Sequence, residues 1–364
     1  MNTYKLLTPG PLTTSSTVKE KMLIDRCTWD QDYKVITQKI RSQLPELAGC
    51  SNEDYTVVLM QGSGTFAVES VMMSAISEKD KPLLITNGAY GERIVKMAEA
   101  IGMLFSQYSV EYDEVPKEEE IRRILESDRE ITHIVMVHCE TTTGILNPLE
   151  MISDVSKQYG KTLIIDAMSS FGGIPINVPE LEIDYLISSA NKCIQGVPGF
   201  GFIIARRDKL MACAGNSKSL SLDLYDQWKG MDVDGKWRFT SPTHVVAAFS
   251  QAIDELLEEG GVSARFDRYQ TNNRVLREKL NGIGFESYIA DELQSPIITS
   301  FIYPTDAFNF EDFYTYVKER GYVIYPGKLT EVNTFRIGNI GEIYEGDIEN
   351  LCDVIAEYMG DETK

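Results

Sequence analysis

From residue 55 onward, short apolar runs rich in β-branched residues alternate with longer segments whose apolar positions recur every three or four residues. Runs that are almost continuously apolar predict strands buried on both faces, and the three-to-four spacing predicts helices. The predicted strands cover 55–60, 82–86, 103–108, 131–138, 161–166, 183–189 and 199–207. Strands and helices in alternation predict an α/β fold, with a mostly parallel seven-stranded sheet between helices.

The pattern changes beyond residue 199, where helices are predicted at 220–229 and 243–259. The pair Gly260-Gly261 then interrupts the chain. A smaller mixed set follows, with helices predicted at 262–280, 311–321 and 348–359 and strands at 300–304, 322–326 and 334–338. We therefore expect a large domain over 1–260 and a small C-terminal α+β domain over 261–364. The N-terminal segment 1–20 is expected to pack on the small domain.

Composition narrows the class of function. With 35 Lys plus Arg against 55 Asp plus Glu, the formal charge is −20, and no basic run offers a separate face for nucleic acid. No signal-peptide pattern opens the chain and no stretch of about 18 apolar residues occurs, so we expect a cytoplasmic protein without a membrane anchor. Six scattered cysteines and only three histidines favour neither disulfides nor a metal site.

A glycine-rich turn at Gln61–Ser70 follows the first strand of this series and opens a helix. Backbone N–H groups at such a helix start can bind a phosphate, with the hydroxyls of Ser63 and Thr65 as further donors. Gly62, Gly64 and Ala67 also fit the dinucleotide pattern G-x-G-x-x-G/A, so an NAD-dependent oxidoreductase is an alternative. That pattern requires an acidic residue after the next strand, where this chain has Asn87. The turn could also be only a tight connection between the strand and the helix, with no ligand.

Two further side chains follow predicted strands. Asp166 ends the strand at 161–166, and Lys192 follows the strand at 183–189 among small and polar residues. Ligands of open α/β sheets collect at the carboxyl ends of the strands. A lysine held in such a site can have a lowered pKa and act as a Schiff-base nucleophile. Together with an upstream phosphate site, these two residues match the needs of pyridoxal phosphate: an imine lysine, a pyridinium partner and a phosphate cup.

Segments along nearly the whole chain strengthen this interpretation. They read LLTPGPLTTS, CTWDQDY, LMQGSGTFAVES, TNGAYGERI, HCETTTGILNP, LIIDAMSSFGG, SSANKCIQGVPGFGF and TFRIGNIG. In this combination they resemble the class V pyridoxal-phosphate-dependent aminotransferases of fold type I. The resemblance implies a homodimer with shared active sites, and it is strongest to members that move the amino group of 2-aminoethylphosphonate to pyruvate, giving phosphonoacetaldehyde and L-alanine.

The same resemblance implies roles for individual residues. Lys192 matches the lysine that attaches the cofactor covalently, and Asp166 the carboxylate that binds the pyridine nitrogen. Tyr90 matches the ring stacked on the cofactor, and Arg336 the arginine that binds the substrate carboxylate. Thr240 matches a residue that completes the phosphate cup of the neighbouring subunit, and Thr141 a residue bonded to the cofactor's phenolic oxygen. The full expected cofactor-binding set is Ser63, Gly64, Thr65, Tyr90, Thr141, Asp166, Asn191, Lys192 and Thr240.

Alternatives stay open for several of these residues. Tyr90 could be a core aromatic, Arg336 a surface charge and Thr240 a helix N-cap. Arg26 matches no role in the family, and it fits either a solvated surface charge or an arginine that attracts a phosphonate near the entrance. The alternative activities are alanine:glyoxylate or serine:pyruvate transamination, the NAD-dependent oxidoreductase, and a non-catalytic relative that only binds a partner.

Overall fold

The computed structural model describes residues 4–327, 329 and 332–362. The strands are β1 Lys5–Leu6, β2 Tyr55–Gln61, β3 Lys81–Thr86, β4 Ser106–Ser109, β5 Ile131–Val137, β6 Cys139–Glu140, β7 Ile145–Leu146, β8 Thr162–Asp166, β9 Tyr185–Ser189, β10 Phe200–Arg206, β11 Ile298–Ile302, β12 Tyr322–Val323, β13 Tyr325–Pro326 and β14 Thr334–Gly338. The α-helices are α1 Ser16–Glu20, α2 Gln31–Leu47, α3 Gly64–Ala75, α4 Ala89–Ile101, α5 Glu118–Ser127, α6 Leu149–Tyr159, α7 Arg207–Ala212, α8 Leu224–Asp234, α9 Thr243–Glu259, α10 Gly261–Gly282, α11 Phe310–Glu319 and α12 Glu345–Glu362.

A seven-stranded sheet forms the centre of the larger part of the molecule, in the order β2-β10-β9-β8-β5-β3-β4. Within it, only β10 is antiparallel to its neighbours, β2 and β9. The predicted mostly parallel α/β sheet is therefore confirmed. Its two faces pack into separate apolar clusters. Successive residues of β2, such as Val57 and Val58, point to opposite faces and belong to different clusters. Apolar residues on both faces explain why the strand sequences lack an alternating pattern.

A second, three-stranded sheet, β11-β14-β13, lies in the C-terminal part with α10, α11 and α12. Its core is aromatic: the ring of Phe335 packs within 5.7 Å, between centroids, of Phe285, Phe301 and Phe313. The N-terminal strand β1 pairs with β12 of this part, in parallel. Residues 5–6 thus join a sheet whose other strand lies more than 300 residues later in the chain. The division into domains at residue 260 stays a prediction.

Helix ends follow local chemistry. Gly102 and Gly260 adopt left-handed conformations that close α4 and α9, a backbone geometry that glycine reaches without steric cost. α10 begins directly at Gly261, so the two glycines connect the long helices α9 and α10 without an intervening loop. At the other end, the Asn309 side chain accepts hydrogen bonds from the N–H groups of Glu311 and Asp312, which starts α11.

The structure corrects several predicted elements and adds others. The single strand predicted at 322–326 is divided into β12 and β13, which belong to different sheets, and the strand predicted at 300–304 lies at 298–302 as β11. α8 starts at Leu224 rather than at residue 220, because the Asp223 carboxylate caps it by accepting a hydrogen bond from the Asp226 N–H. β4 starts at Ser106 rather than at 103, since Gly102 ends α4 and the following Met103 and Leu104 serve as its connection. The sequence pattern before residue 55 was given no element, yet β1, α1 and α2 lie there. In the described residues, no helix is long and apolar enough to span a membrane.

Candidate active site

A cavity of about 280 Å³ opens where the central strands end. Residues that follow or end β2, β5, β8 and β9 line it, which is the expected place for a ligand in an open α/β sheet. The lining residues are Pro11, Ser63, Gly64, Thr65, Val68, Tyr90, Arg93, Ile94, Met97, Val137, Cys139, Asp166, Met168, Ser169, Ser189, Asn191, Lys192, Pro198 and Gly199. The cavity therefore brings together seven of the predicted residues, namely Ser63, Gly64, Thr65, Tyr90, Asp166, Asn191 and Lys192.

Lys192 lies against the N-terminal segment. Its Nζ donates a hydrogen bond to the carbonyl oxygen of Pro9. A Cβ atom added to Gly10, whose φ is +121°, would lie 2.8 Å from that Nζ. Burial lowers the pKa of Lys192, because desolvation disfavours the ammonium form. A lysine with these surroundings is prepared to act as a neutral nucleophile.

Asp166 is the last residue of β8 and its side chain is only 7% exposed. Its Oδ1 accepts a hydrogen bond from the Met168 N–H at 2.9 Å. Burial raises the pKa of this carboxyl to about 6, against the opposing effect of that hydrogen bond; Glu140 raises the pKa further, and Lys192 lowers it. A buried carboxylate at this place favours a cationic ligand atom, because a positive partner would offset the cost of burying its charge.

The glycine-rich turn meets the cavity at the start of α3. Ser63 occupies the N-cap position, but its side chain forms no capping hydrogen bond with the helix. Gly64 packs so closely on Met168 that an added Cβ would lie 2.4 Å from the Met168 Sδ. Ser63, Gly64 and Thr65 line the cavity at this helix start, a place that suits an anion.

Tyr90 stands in the first turn of α4, and Glu140 holds that turn. Glu140 Oε2 accepts hydrogen bonds from the N–H groups of Tyr90, at 3.0 Å, and Gly91, at 3.1 Å. Its Oε1 accepts from the N–H and the hydroxyl of Thr142. Burial raises the pKa of Glu140, and these hydrogen bonds oppose that rise. Tyr90 lines the cavity, so it is not simply a core aromatic, and sequence reasoning missed the carboxylate that fixes its helix.

Arg93 also lines the cavity and was not among the predicted residues. Its Nη1 donates a hydrogen bond to the Thr65 hydroxyl at 3.3 Å, and its guanidinium carbon lies 4.8 Å from the centre of the Tyr90 ring. A sequence signal was present, because Arg93 follows Tyr90 by three positions and shares its helix face.

Arg336 and Thr141 meet beside the cavity rather than among its lining residues. Arg336 is 1% exposed, so the surface-charge alternative is wrong. Its Nε and Nη2 donate to the Pro326 carbonyl, each at 3.0 Å, and its Nη1 donates to the Thr141 carbonyl at 2.9 Å. Burial lowers the pKa of Arg336, whereas the nearby Tyr90, to which it also hydrogen-bonds, raises that pKa. The guanidinium is thus fixed next to the predicted stacking residue.

Thr240 and Arg26 lie outside this cavity. Thr240 is exposed, and it is not an N-cap, because Pro242 holds that position in α9. Arg26 donates hydrogen bonds from its Nη1 to the carbonyls of Lys21 and Ile24, so it closes its own loop. The Asn87 side chain bonds with Asn147 and with the Glu114 carbonyl, and it therefore supplies no carboxylate for a nucleotide ribose.

The residues present fit a pyridoxal-type cofactor. The Ser189 hydroxyl lines the cavity, is buried and has no hydrogen-bond partner in the described structure, so it is suited to a polar ligand. A buried lysine with a lowered pKa, a buried carboxylate and a helix start suited to an anion face the same space. Among the described residues, no group of three or more His, Cys, Asp or Glu side chains is arranged to hold a metal ion.

Comparison with known proteins agrees with this arrangement. The model of the family described as aminotransferase class V matches residues 26–337. A protein of Lysinibacillus sphaericus named 2-aminoethylphosphonate–pyruvate transaminase is 61% identical over 359 residues, covering 99% of this chain and 98% of that protein. A protein of Bacillus cereus with the same name is 57% identical over 357 residues, covering 98% of each chain.

Solved structures share the fold at low identity. Alanine–glyoxylate aminotransferase from Nostoc sp. has a TM-score of 0.88 and 23% identity, covering 98% of this chain and 95% of that one. Ureidoglycine–glyoxylate aminotransferase from Bacillus subtilis has a TM-score of 0.90 and 21% identity, covering 99% and 94%. Since the family model spans most of the sequence and the relatives align along nearly all of it, the chain belongs to the class V aminotransferase family.

Proposed function

We propose that this protein uses pyridoxal 5′-phosphate to move the amino group of 2-aminoethylphosphonate to pyruvate, giving phosphonoacetaldehyde and L-alanine. The observation that carries the proposal is that Lys192 and Asp166 face one cavity whose rim includes the start of α3. The names of the relatives from Lysinibacillus sphaericus and Bacillus cereus support the choice of substrates. When bound, pyridoxal phosphate supplies an electron sink for a carbanion next to nitrogen.

The residues of the chain divide this chemistry among them. Lys192 would attach the cofactor. Once released, its amine would take a proton from the substrate carbon that bears nitrogen and deliver it to the cofactor carbon bonded to that nitrogen, a role that its lowered pKa favours. Asp166 would pair with the protonated ring nitrogen. Ser63, Gly64 and Thr65 would bind the phosphate, and Tyr90 would stack on the ring. Asn191 and Thr141 are proposed as further contacts to the cofactor.

Arg336 is proposed to bind the carboxylate of pyruvate. A guanidinium suits a carboxylate because it donates two parallel hydrogen bonds, whereas an ammonium acts as a point charge. The carbonyls of Pro326 and Thr141 hold the Arg336 side chain in place, and Tyr90 connects it with the cavity. A fixed guanidinium loses little conformational freedom when the substrate arrives.

We also propose a homodimer in which Thr240 of one copy completes the phosphate cup of the other. Thr240 is exposed in the single chain, next to Phe239, whose side chain is 49% exposed. Phe66, in the first turn of α3 beside the cup, is also 49% exposed. Large apolar side chains that flank the site on the surface are typical of an interface between proteins. We also propose a cytoplasmic location.

The test is a coupled assay for phosphonoacetaldehyde and alanine with the wild type and with Lys192→Ala. We expect both products from the wild type and neither from the variant. The wild type should also gain a visible absorption band with pyridoxal phosphate that borohydride removes. Alanine formation from serine and pyruvate, or glycine formation from alanine and glyoxylate, would instead assign one of the other family activities. Absence of the band would reject the cofactor.

A further inference from the structure

Arg93 is a cation in the cavity that no step of the proposed reaction employs. It projects from α4, lines the cavity and donates a hydrogen bond to the Thr65 hydroxyl at 3.3 Å. The face of the Tyr90 ring lies 4.8 Å from its guanidinium carbon, a distance that allows a cation–π contact. The two contacts hold the guanidinium between the predicted stacking ring and the glycine-rich turn.

Among the described residues, no carboxylate forms an ion pair with Arg93, although Asp166 lines the same cavity and the charge of Arg93 lowers its pKa. In the part of the chain that the structure describes, its hydrogen bond goes to a neutral hydroxyl and its ring contact to a tyrosine. This is notable in a protein with 55 acidic and 35 basic residues, where arginines such as Arg206 and Arg265 pair with acids. A half-buried guanidinium that faces a cavity and forms no ion pair with a described residue is suited to an anionic ligand.

We propose that Arg93 binds the phosphate group of pyridoxal 5′-phosphate and so completes the charge balance of the phosphate cup. The inference rests on the proposed function, since it assumes that cofactor. Its location favours the phosphate over the substrate phosphonate, because its hydrogen-bond partner, Thr65, belongs to the first turn of α3. The substrate acid already has a cation elsewhere, Arg336, held between Pro326 and Thr141.

The proposed role of Arg93 in phosphate binding differs from that of the start of α3. Backbone N–H groups contribute partial charges, whereas a guanidinium contributes a full positive charge and several donors. A phosphate ester carries nearly two negative charges at neutral pH. Arg93 should therefore select the phosphorylated cofactor over pyridoxal, which has the same ring and aldehyde but no phosphate.

The experiment measures the dissociation constants of pyridoxal 5′-phosphate and of pyridoxal for the wild type, Arg93→Gln, Arg93→Lys and Arg123→Gln. Loaded protein is dialysed against graded concentrations of each vitamer, and occupancy is read from visible absorbance. Arg123 is a matched control, because it is exposed on α5, pairs with Glu120 and loses the same charge. Circular dichroism and thermal melting establish that each variant is folded.

We expect Arg93→Gln to weaken pyridoxal 5′-phosphate about 10- to 100-fold, the range for a lost charged hydrogen bond, and to leave pyridoxal within twofold of the wild type. Arg93→Lys should recover part of the loss, and Arg123→Gln should match the wild type. Equal weakening of both vitamers would overturn the proposal, since the phosphate would not be the group recognised.

A second measurement distinguishes binding of the cofactor phosphate from binding of the substrate phosphonate. If Arg93→Gln leaves the cofactor dissociation constant unchanged but raises the KM for 2-aminoethylphosphonate, the guanidinium serves the phosphonate and the proposal is wrong. If the wild type binds neither vitamer, the proposed function itself fails, which is a different result from equal binding by wild type and variant.

Discussion

Asp166 illustrates how a single residue in this site opposes stability. Its carboxyl is buried at the end of β8, and burial raises its pKa to about 6 from 3.8. The folded protein therefore holds this proton more tightly than the unfolded chain does. Between about pH 4 and pH 6, the free energy of unfolding should fall as the pH rises, because the buried group must ionise. A cationic ligand would offset that cost.

Asp166→Asn should accordingly stabilise the protein without cofactor at pH 8. A shift of about two pKa units corresponds to about 3 kcal/mol at most, and the amide oxygen can still accept the Met168 N–H. The gain should vanish below about pH 4, where the wild-type carboxyl is protonated in both states. Urea unfolding of both proteins at pH 8 and pH 4 measures this difference. Equal stabilities at pH 8 would contradict it.

At the scale of elements, the loops and helix starts that surround the cavity are fixed by contacts between distant parts of the chain. Lys192 bonds to Pro9, a partner 183 positions earlier in the chain. Glu140 closes the start of α4, 50 positions before it. The shape of the cavity thus depends on how the N-terminal segment, α4 and β6 are held together. Local changes in any of them should alter cofactor binding.

Gly10→Ala should impair cofactor attachment more than it impairs folding. The new Cβ would lie 2.8 Å from the Lys192 Nζ and would require a positive φ of +121°. Gly102→Ala is the control, because its φ is +74° and no heavy atom lies within 4 Å of the added Cβ. Both should lose about 1 kcal/mol of stability. Only Gly10→Ala should slow the appearance of the visible band after pyridoxal phosphate is added, and an equal rate in both variants would refute this expectation.

Glu140→Gln should loosen the start of α4. The glutamine NH₂ group must replace one oxygen that now accepts N–H or O–H donors, so two donors would face each other inside the protein. We expect a loss of about 2 kcal/mol and an altered visible spectrum of the loaded protein, because Tyr90 moves. Glu92→Gln on the same helix, which affects a half-buried bond with Tyr112, is the control. An unchanged spectrum and melting temperature for Glu140→Gln would exclude a positioning role.

On the scale of the whole molecule, large apolar side chains exposed on an otherwise acidic surface favour self-association of the protein. Phe66 and Phe239 are exposed near the cup and near Thr240, whereas Leu104 is exposed beside β4, at the opposite edge of the central sheet. A dimer that covers the first pair would complete each site with the other copy, while Leu104 would stay in solvent.

Phe239→Glu should therefore dissociate the proposed dimer. A buried, unpaired charge at an interface is costly, so sedimentation at micromolar concentration should show a monomer, with weaker cofactor binding because Thr240 is withdrawn. Leu104→Glu adds the same charge elsewhere and should sediment as the wild type does. A monomeric wild type, or a Phe239→Glu variant that stays dimeric, would refute the interface.

Much of this protein follows from local sequence. The nearly continuous apolar runs identify the strands of the central sheet because burial on both faces removes alternation, and β14 begins and ends where the pattern predicts. Lys192, Asp166 and the glycine-rich turn are also readable, since each stands at a strand end, where a parallel sheet gathers its ligand-binding groups. α1 and α2 were not predicted, although Tyr33, Ile40 and Leu44 of α2 recur at helical spacing and are buried.

The partners of these groups depend on tertiary structure. Three features arise from packing between segments far apart in sequence: Gly10 lies against Lys192, Glu140 holds the helix of Tyr90, and Arg93 faces the same cavity as Asp166. Local patterns determine which residues form strands and helices and which end at the sheet edge, because backbone geometry and burial act over a few residues. Only the folded chain decides which charges meet, since that depends on distances that no spacing along the sequence fixes.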